Sequence, residues 1–285
     1  MKKIGFIDYY ISEWHANNYP NWIDEYVKDA GLDYKVEYAY AEIDKSPVDG
    51  LTTSEWCAKF GVKKVDTIKE LVEKSDYIII LAPTNPETHL RLCKEAFKYA
   101  NGKRIYVDKT FAPDYKTAVE IFKIASEYDV KFFSTSALRY SPFVIENLNA
   151  KNLATKFGGT TIEEYIIHQV ETIVKFYGVG ANKVKAQLID GAYKFEIAFD
   201  NGKVGVMNFK EDNGYNIIVE DNSGKVNEIK LTGGHFQGLI KKIITFFESG
   251  EIDFDVKEIL EVMKIRDASL IAKDNLNTWI EIQKD

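Results

Sequence analysis

The chain has 285 residues, 45% hydrophobic and 13% aromatic, which is enough material for two packed domains. Its 44 acidic against 37 basic residues leave a net charge of −7 with no run of five like charges, which disfavours a general nucleic-acid binder. No apolar run approaches the roughly 18 residues of a membrane-spanning helix, and Asp8 and Glu13 come too early for a signal peptide. A cytoplasmic location follows as an expectation, with small molecules and further copies of the chain as partners.

The first half alternates strand and helix. "KKIGFID" predicts a strand, "YPNWIDEYVKDAG" a helix ending at Gly31, and "KVEYAYAE" a second strand. "SEWCAKFG" and "DTIKELVEKS" predict two short helices, the second with Asp66 as its cap. "YIIILAP" is continuously apolar, as a parallel strand covered on both faces should be. Asn85 and Pro86 start a helix, "RIYVDK" is the next strand, Asp114 caps another helix, and "VKFFSTS" is a strand again. Repeated β-α-β units of this kind predict an α/β fold, a Rossmann-like doubly wound parallel sheet over residues 1–140.

After residue 140 the pattern changes. Ile162 to Tyr177 predicts one amphipathic helix, followed by alternating stretches separated by "DNG" at 200, "DNG" at 212 and "DNSG" at 221. These read as hairpin turns of an open antiparallel sheet. Two helices, "FQGLIKKIITFFESG" and "DVKEILEVMKIRDASLIAKD", and a last strand "TWIEI" complete a C-terminal α+β domain, residues 141–285, suited to substrate binding and oligomerisation.

In an open α/β sheet, ligands bind at the carboxyl ends of the strands. Here those ends carry Asp8, Glu42, Pro83 to Asn85, Asp108 with Lys109, and Ser134 to Arg139. Lys109 either pairs with a neighbouring carboxylate and closes its strand, or is partly desolvated and exchanges a proton with a ligand oxygen. Glu164, His168, Glu171 and Lys175 fall in one narrow stripe of their helix. That stripe is either a solvated face or one turned to a ligand, where His168 would act as general acid or base. His15, His89 and His235 share no metal-ligand spacing, so no metal is expected, and Cys57 and Cys93 read as reduced structural thiols.

Four ordered segments, "APTNPETH" at 82–89, "NGKRIYVDKTFA" at 101–112, "STSALRY" at 134–140 and "EEYIIHQVE" at 163–171, make the chain resemble the glucose-fructose oxidoreductase, inositol dehydrogenase and MocA family. The resemblance spans nearly the whole chain. It implies an NAD(P)-dependent oxidoreductase that moves a hydride between nicotinamide and a sugar-like or polyol hydroxyl carbon. Lys109 and His168 then match the family's catalytic lysine and histidine, with Glu164 where many members place an aspartate. Asp8, Tyr10, Glu42, Thr84, Asn85, Pro86, His89 and Asp108 would lie along the cofactor, and Arg139 and Glu171 near the substrate. Glu42 would favour NAD over NADP by repelling a 2′-phosphate. A homodimer or larger homo-oligomer is expected.

Three positions depart from the family pattern. Thr110 replaces the proline after the lysine, and Asp8 and Tyr10 replace the first two glycines of the phosphate-binding turn. An aspartate there adds repulsion, and a tyrosine prevents close backbone approach. A second reading therefore stands beside the dehydrogenase: a member that has lost that activity and binds a small ligand as a sensor or accessory protein.

Overall fold

Strand β1 (Lys2–Asp8) is the centre of a six-stranded parallel sheet in a computed structural model that describes residues 1–284. Around it come α1 (Trp14–Asp29), β2 (Tyr34–Ala41), α2 (Thr53–Phe60), β3 (Lys63–Lys64), α3 (Ile68–Lys74), β4 (Tyr77–Ile80), α4 (Pro86–Phe97), β5 (Arg104–Val107), α5 (Tyr115–Glu127) and β6 (Lys131–Phe133). The strand order is β3-β2-β1-β4-β5-β6, every pair parallel. This is the doubly wound order in which chain direction across the sheet reverses between β1 and β4, opening a crevice at their carboxyl ends. Ile78 to Leu81 are fully buried, as the unbroken apolar run of this central strand requires.

Helix α1 begins at Trp14, five residues before the expected start at Tyr19. Glu13 caps it, and Pro20 lies inside the helix, where it removes one amide donor without ending it. The cap of α3 is Thr67, whose hydroxyl accepts the Glu70 amide, and not Asp66. The extended backbone at Thr67 gives its shorter side chain the geometry of a capping residue.

A 3-10 turn (Ala137–Tyr140) and α6 (Pro142–Glu146) lead into the second sheet, built from β7 (Asn152–Phe157), β8 (Ala181–Ile189), β9 (Ala192–Phe199), β10 (Val204–Phe209), β11 (Asn216–Glu220), β12 (Val226–Lys230) and β13 (Trp279–Glu281). Helices α7 (Ile162–Tyr177), α8 (His235–Ser249) and α9 (Lys257–Asp274) complete the chain. The order is β12-β11-β7-β10-β9-β8-β13, and the sheet is mixed because β10 runs parallel to β7. The "DNG" at 200 and "DNSG" at 221 are hairpin turns, between β9 and β10 and between β11 and β12. The "DNG" at 212 is not one: β7 lies between β10 and β11, and a local turn signal cannot foresee a strand inserted from 50 residues away.

One compact unit comprises Met1–Ser134 and Ile240–Asp253; the other comprises Thr135–Leu239 and the chain from Phe254 on. The return of Ile240–Asp253 to the first unit follows from its aromatic residues. Phe247 stacks on Tyr77 at 4.7 Å, Phe246 meets Phe133 at 4.9 Å, and Arg104 donates to the Glu248 carbonyl at 2.8 Å. In the second unit α7 packs on β7 and β10, and α9 on β8 and β9. Gly205 permits that approach, since a Cβ there would meet Ile173 Cγ2 at 2.9 Å.

Candidate functional site

At the end of β1, the start of α1 and the end of β5 the chain gathers acidic side chains and places them under cover. Asp8 accepts the Tyr9 amide with one carboxyl oxygen at 2.7 Å, while the other oxygen is buried with no hydrogen-bond partner. Burial, and then the proximity of Glu13, push the Asp8 carboxyl well above its ordinary range. Glu13 is itself buried, and its two oxygens accept the backbone amides of His15 at 2.7 Å and of Ala16. The first turn of α1, whose amides form the natural anion seat of a helix, is therefore taken by the chain's own carboxylate.

Asp108, at the end of β5, is fully buried and fully engaged. It pairs with His15 Nδ1, accepts the Lys109 amide at 2.8 Å, and accepts the Tyr106 hydroxyl at 3.2 Å. Burial acts to raise its carboxyl, but His15, seconded by Lys109, overcomes this and holds it below the usual range. The His15 ring stacks on Tyr19 at 5.2 Å. Lys109 is 8% exposed, and its ammonium donates to the Pro83 carbonyl at 3.3 Å. That carbonyl follows Ala82, which holds a left-handed φ of 69° at a cost of about 1–2 kcal/mol for a residue with a Cβ. The strain sits at the loop that faces Lys109 and precedes Thr84 and Asn85, a location typical of working sites.

The remaining residues expected along a cofactor have other engagements. Tyr10 is buried, and its hydroxyl lies 3.4 Å from Thr84 Oγ1, spanning from the turn after β1 to the loop after β4. Asn85 reaches Glu87 at 3.2 Å, and Pro86 is the first residue of α4. His89 lies wholly inside the unit, bonded to the Leu81 carbonyl, and burial lowers its pKa. Glu42 is held by both oxygens on Arg91 Nε, at 3.0 and 2.8 Å. That puts a cation beside the carboxylate read as selecting NAD over NADP.

In the second unit, Thr161 caps α7, and His168 Nδ1 lies 2.7 Å from the Ser136 hydroxyl, flanked by the rings of Tyr165 and Tyr215. Glu164 is half-buried and meets the Thr160 hydroxyl at 3.3 Å. Arg139, 1% exposed, bridges Glu171 at 3.3 Å and Glu258, with its guanidinium 4.0 Å from the centre of the Phe254 ring. Glu171 also accepts the Ser136 amide and the Thr135 hydroxyl, both at 3.2 Å. Burial raises its carboxyl, although Arg139 works against the shift. The two residues expected near a substrate thus form an internal ion pair that ties residues 135–139 to α7, and the stripe read as either solvated or ligand-facing is split, its Glu171 buried.

Sequence reasoning missed Glu13 and the pairing of His15 with Asp108. His15 lies 93 residues before its partner, in the first turn of the helix after β1, while Asp108 follows β5, and β4 separates those two strands, so no local signal pairs them. Among the described residues no group of three or more His, Cys, Asp or Glu side chains could hold a metal ion, and no helix is long and apolar enough to cross a membrane. Both cysteines are free and buried.

A parallel sheet in this strand order joined to a mixed sheet backed by two helices is the fold of inositol dehydrogenases and related NAD-binding oxidoreductases. The myo-inositol dehydrogenase of Lactobacillus casei, solved with NAD(H) and myo-inositol, superposes with a TM-score of 0.80 at 9% identity, over 100% of this chain and 97% of that one. The scyllo-inositol dehydrogenase of the same organism, with NAD(H) and scyllo-inositol, gives 0.74 at 11% identity over 98% of each chain. An NAD-binding oxidoreductase from Klebsiella pneumoniae gives 0.73 at 14% identity over the whole of both. No protein-family model and no curated protein sequence matches the chain. The first turn does not fit a dinucleotide's pyrophosphate: Glu13 holds the helix amides, Asp8 and Asp108 supply further carboxyls, and Tyr10 crosses to Thr84.

Proposed function

We propose that this chain is a member of the glucose-fructose oxidoreductase, inositol dehydrogenase and MocA family that binds a sugar-like or polyol ligand, with Lys109 and His168 as its acid-base residues. The observation that carries this reading is the setting of Lys109. A largely buried ammonium at the carboxyl end of a parallel strand, steadied by the Pro83 carbonyl, is placed to give a proton to a ligand oxygen or share one with it. His168, 2.7 Å from the Ser136 hydroxyl in the second unit, is the other acid-base residue that the resemblance implies.

Whether such a ligand is oxidised separates two versions of the reading. An NAD-dependent oxidoreductase acting on CH-OH groups is supported by the neighbours solved with NAD(H). A member without dehydrogenase activity, serving as a sensor or accessory protein, is supported by the acidic first turn, and the geometry favours it. Calorimetry with myo-inositol, scyllo-inositol and glucose, alongside absorbance at 340 nm with NAD(H) present, tests both. We expect a polyol to bind, Lys109→Ala to weaken it about tenfold, near the ~1.4 kcal/mol of one lost hydrogen bond, and no polyol-dependent change at 340 nm. If no polyol or sugar binds, the reading fails; if NAD(H) binds and absorbance follows the polyol, the oxidoreductase version holds.

A further inference from the structure

We infer that the chain supplies its own anion where a dinucleotide-binding protein receives the pyrophosphate, so that the first unit accepts only phosphate-free ligands at this turn. The inference rests on the small-ligand reading above and sharpens its ligand class.

Asp8, Tyr10 and Glu13 have the spacing of the three glycines in a Gly-x-Gly-x-x-Gly turn, and each replaces one of their functions with its opposite. The first glycine allows a tight neutral turn. Asp8 puts there a buried carboxyl, one oxygen of which has no partner. The second lets the backbone come against the phosphates, and Tyr10 instead fills the space with a ring whose hydroxyl reaches Thr84, across the interval between β1 and β4 where the sheet order reverses. The third allows close packing of helix and strand, and Glu13 instead turns its carboxylate back onto the His15 and Ala16 amides.

The exchange is coherent in its energetics. Those amides and the end of the helix dipole are what draws a phosphate to such a turn. Glu13 satisfies the His15 and Ala16 amides and offsets the partial charge with a group already tethered, so an incoming pyrophosphate finds those two donors taken and meets the Glu13 carboxyl in their place. The two nitrogen-bearing side chains nearby are also engaged, His15 with Asp108 and Lys109 with the Pro83 carbonyl. A neutral polyol has no charge to be repelled and needs no helix amides.

The test is binding of NAD(H), NADP(H) and myo-inositol to the full chain by calorimetry, comparing wild type with the triple variant Asp8→Gly/Tyr10→Gly/Glu13→Gly, folding of each being checked by circular dichroism. Wild type should show no dinucleotide binding up to millimolar concentration, and the folded triple variant should bind with a Kd of about 0.1 mM or tighter, at least a tenfold gain. Should the triple variant not fold, Tyr10→Gly/Glu13→Gly, which frees the His15 and Ala16 amides and leaves a glycine at the cap, must gain measurable binding in its place. Dinucleotide binding to wild type, or a folded variant that gains none, overturns the inference. Absence of myo-inositol and other polyol binding in every variant would instead tell against the small-ligand reading, a separate outcome.

Discussion

Asp8 sits at the end of β1 with one oxygen on the Tyr9 amide and the other enclosed without a partner. An unsatisfied buried acceptor costs roughly 1–3 kcal/mol, and more if ionised, so it is held only where surrounding packing imposes it. The sign of the resulting pH dependence follows from the raised carboxyl. In the unfolded chain Asp8 ionises near 3.8, while in the folded chain it holds its proton to higher pH, first through burial and then through Glu13. Its contribution to stability is therefore fully present below about 3.8 and declines as pH rises through the folded value. Glu13 and Glu171, also raised first by burial, act in the same direction, whereas Asp108, held low by His15, contributes above its unfolded value and loses that contribution on acidification. Asp8→Asn isolates one member: urea unfolding should show the variant gaining about 1–3 kcal/mol over wild type at pH 8 and much less at pH 4. A gain equal at both pH values would show that Asp8 is not protonated through burial. At the same scale, Glu171→Ala should cost about 3–5 kcal/mol in urea unfolding, because it leaves Arg139 facing Glu258 alone and removes the acceptor of the Ser136 amide.

Among the elements, α1 and α7 show what local pattern can and cannot convey. The period of apolar residues predicts α7 over its full observed length, Ile162–Tyr177, because its apolar side is continuous. It also leaves the helix's polar stripe undecided between solvent and ligand, whereas the structure buries Gln169, Glu171 and Thr172 as well. The cause is that both sides are covered, one by the sheet and the other by α9 and the 3-10 turn, and coverage by distant chain is absent from a helical period. Helix α1 fails at its start instead. Neither the glutamate cap nor a proline seven residues into the helix belongs to the usual signals of a helix start, yet Glu13 supplies two hydrogen bonds there. The close seating of α7 on β10 gives a direct check. Gly205→Val would press a branched side chain on Ile173 and Phe199, and should destabilise by about 1–3 kcal/mol, read as a lower urea midpoint with an unchanged slope. A midpoint equal to that of wild type would mean that helix and sheet are less closely packed than described.

The whole molecule consists of two units, each with its own sheet and its own core. The first unit's sheet is covered on both faces, while the sheet face of the second turned away from α7 and α9 carries half-buried Ala154, Val206 and Ile218 among charged residues. A partly apolar sheet face of this kind commonly meets a second copy, and light scattering at micromolar concentration should give the mass of a homodimer rather than of a 32.6 kDa monomer. The sequence by itself determined the architecture: the alternation of apolar strands and amphipathic helices over residues 1–140, then the strand and turn signals that follow, because periodicity and turn chemistry are local properties of the chain. It also marked Lys109 and His168, since residue type and position beside an element are local as well. Only the tertiary structure decided that β7 runs between β10 and β11, that Arg139 and Glu171 neutralise one another inside the fold, and that Glu13 turns back onto the amides of α1. Each of these depends on which distant segments meet and on how a buried charge finds its partner, and neither is written in any short stretch of residues.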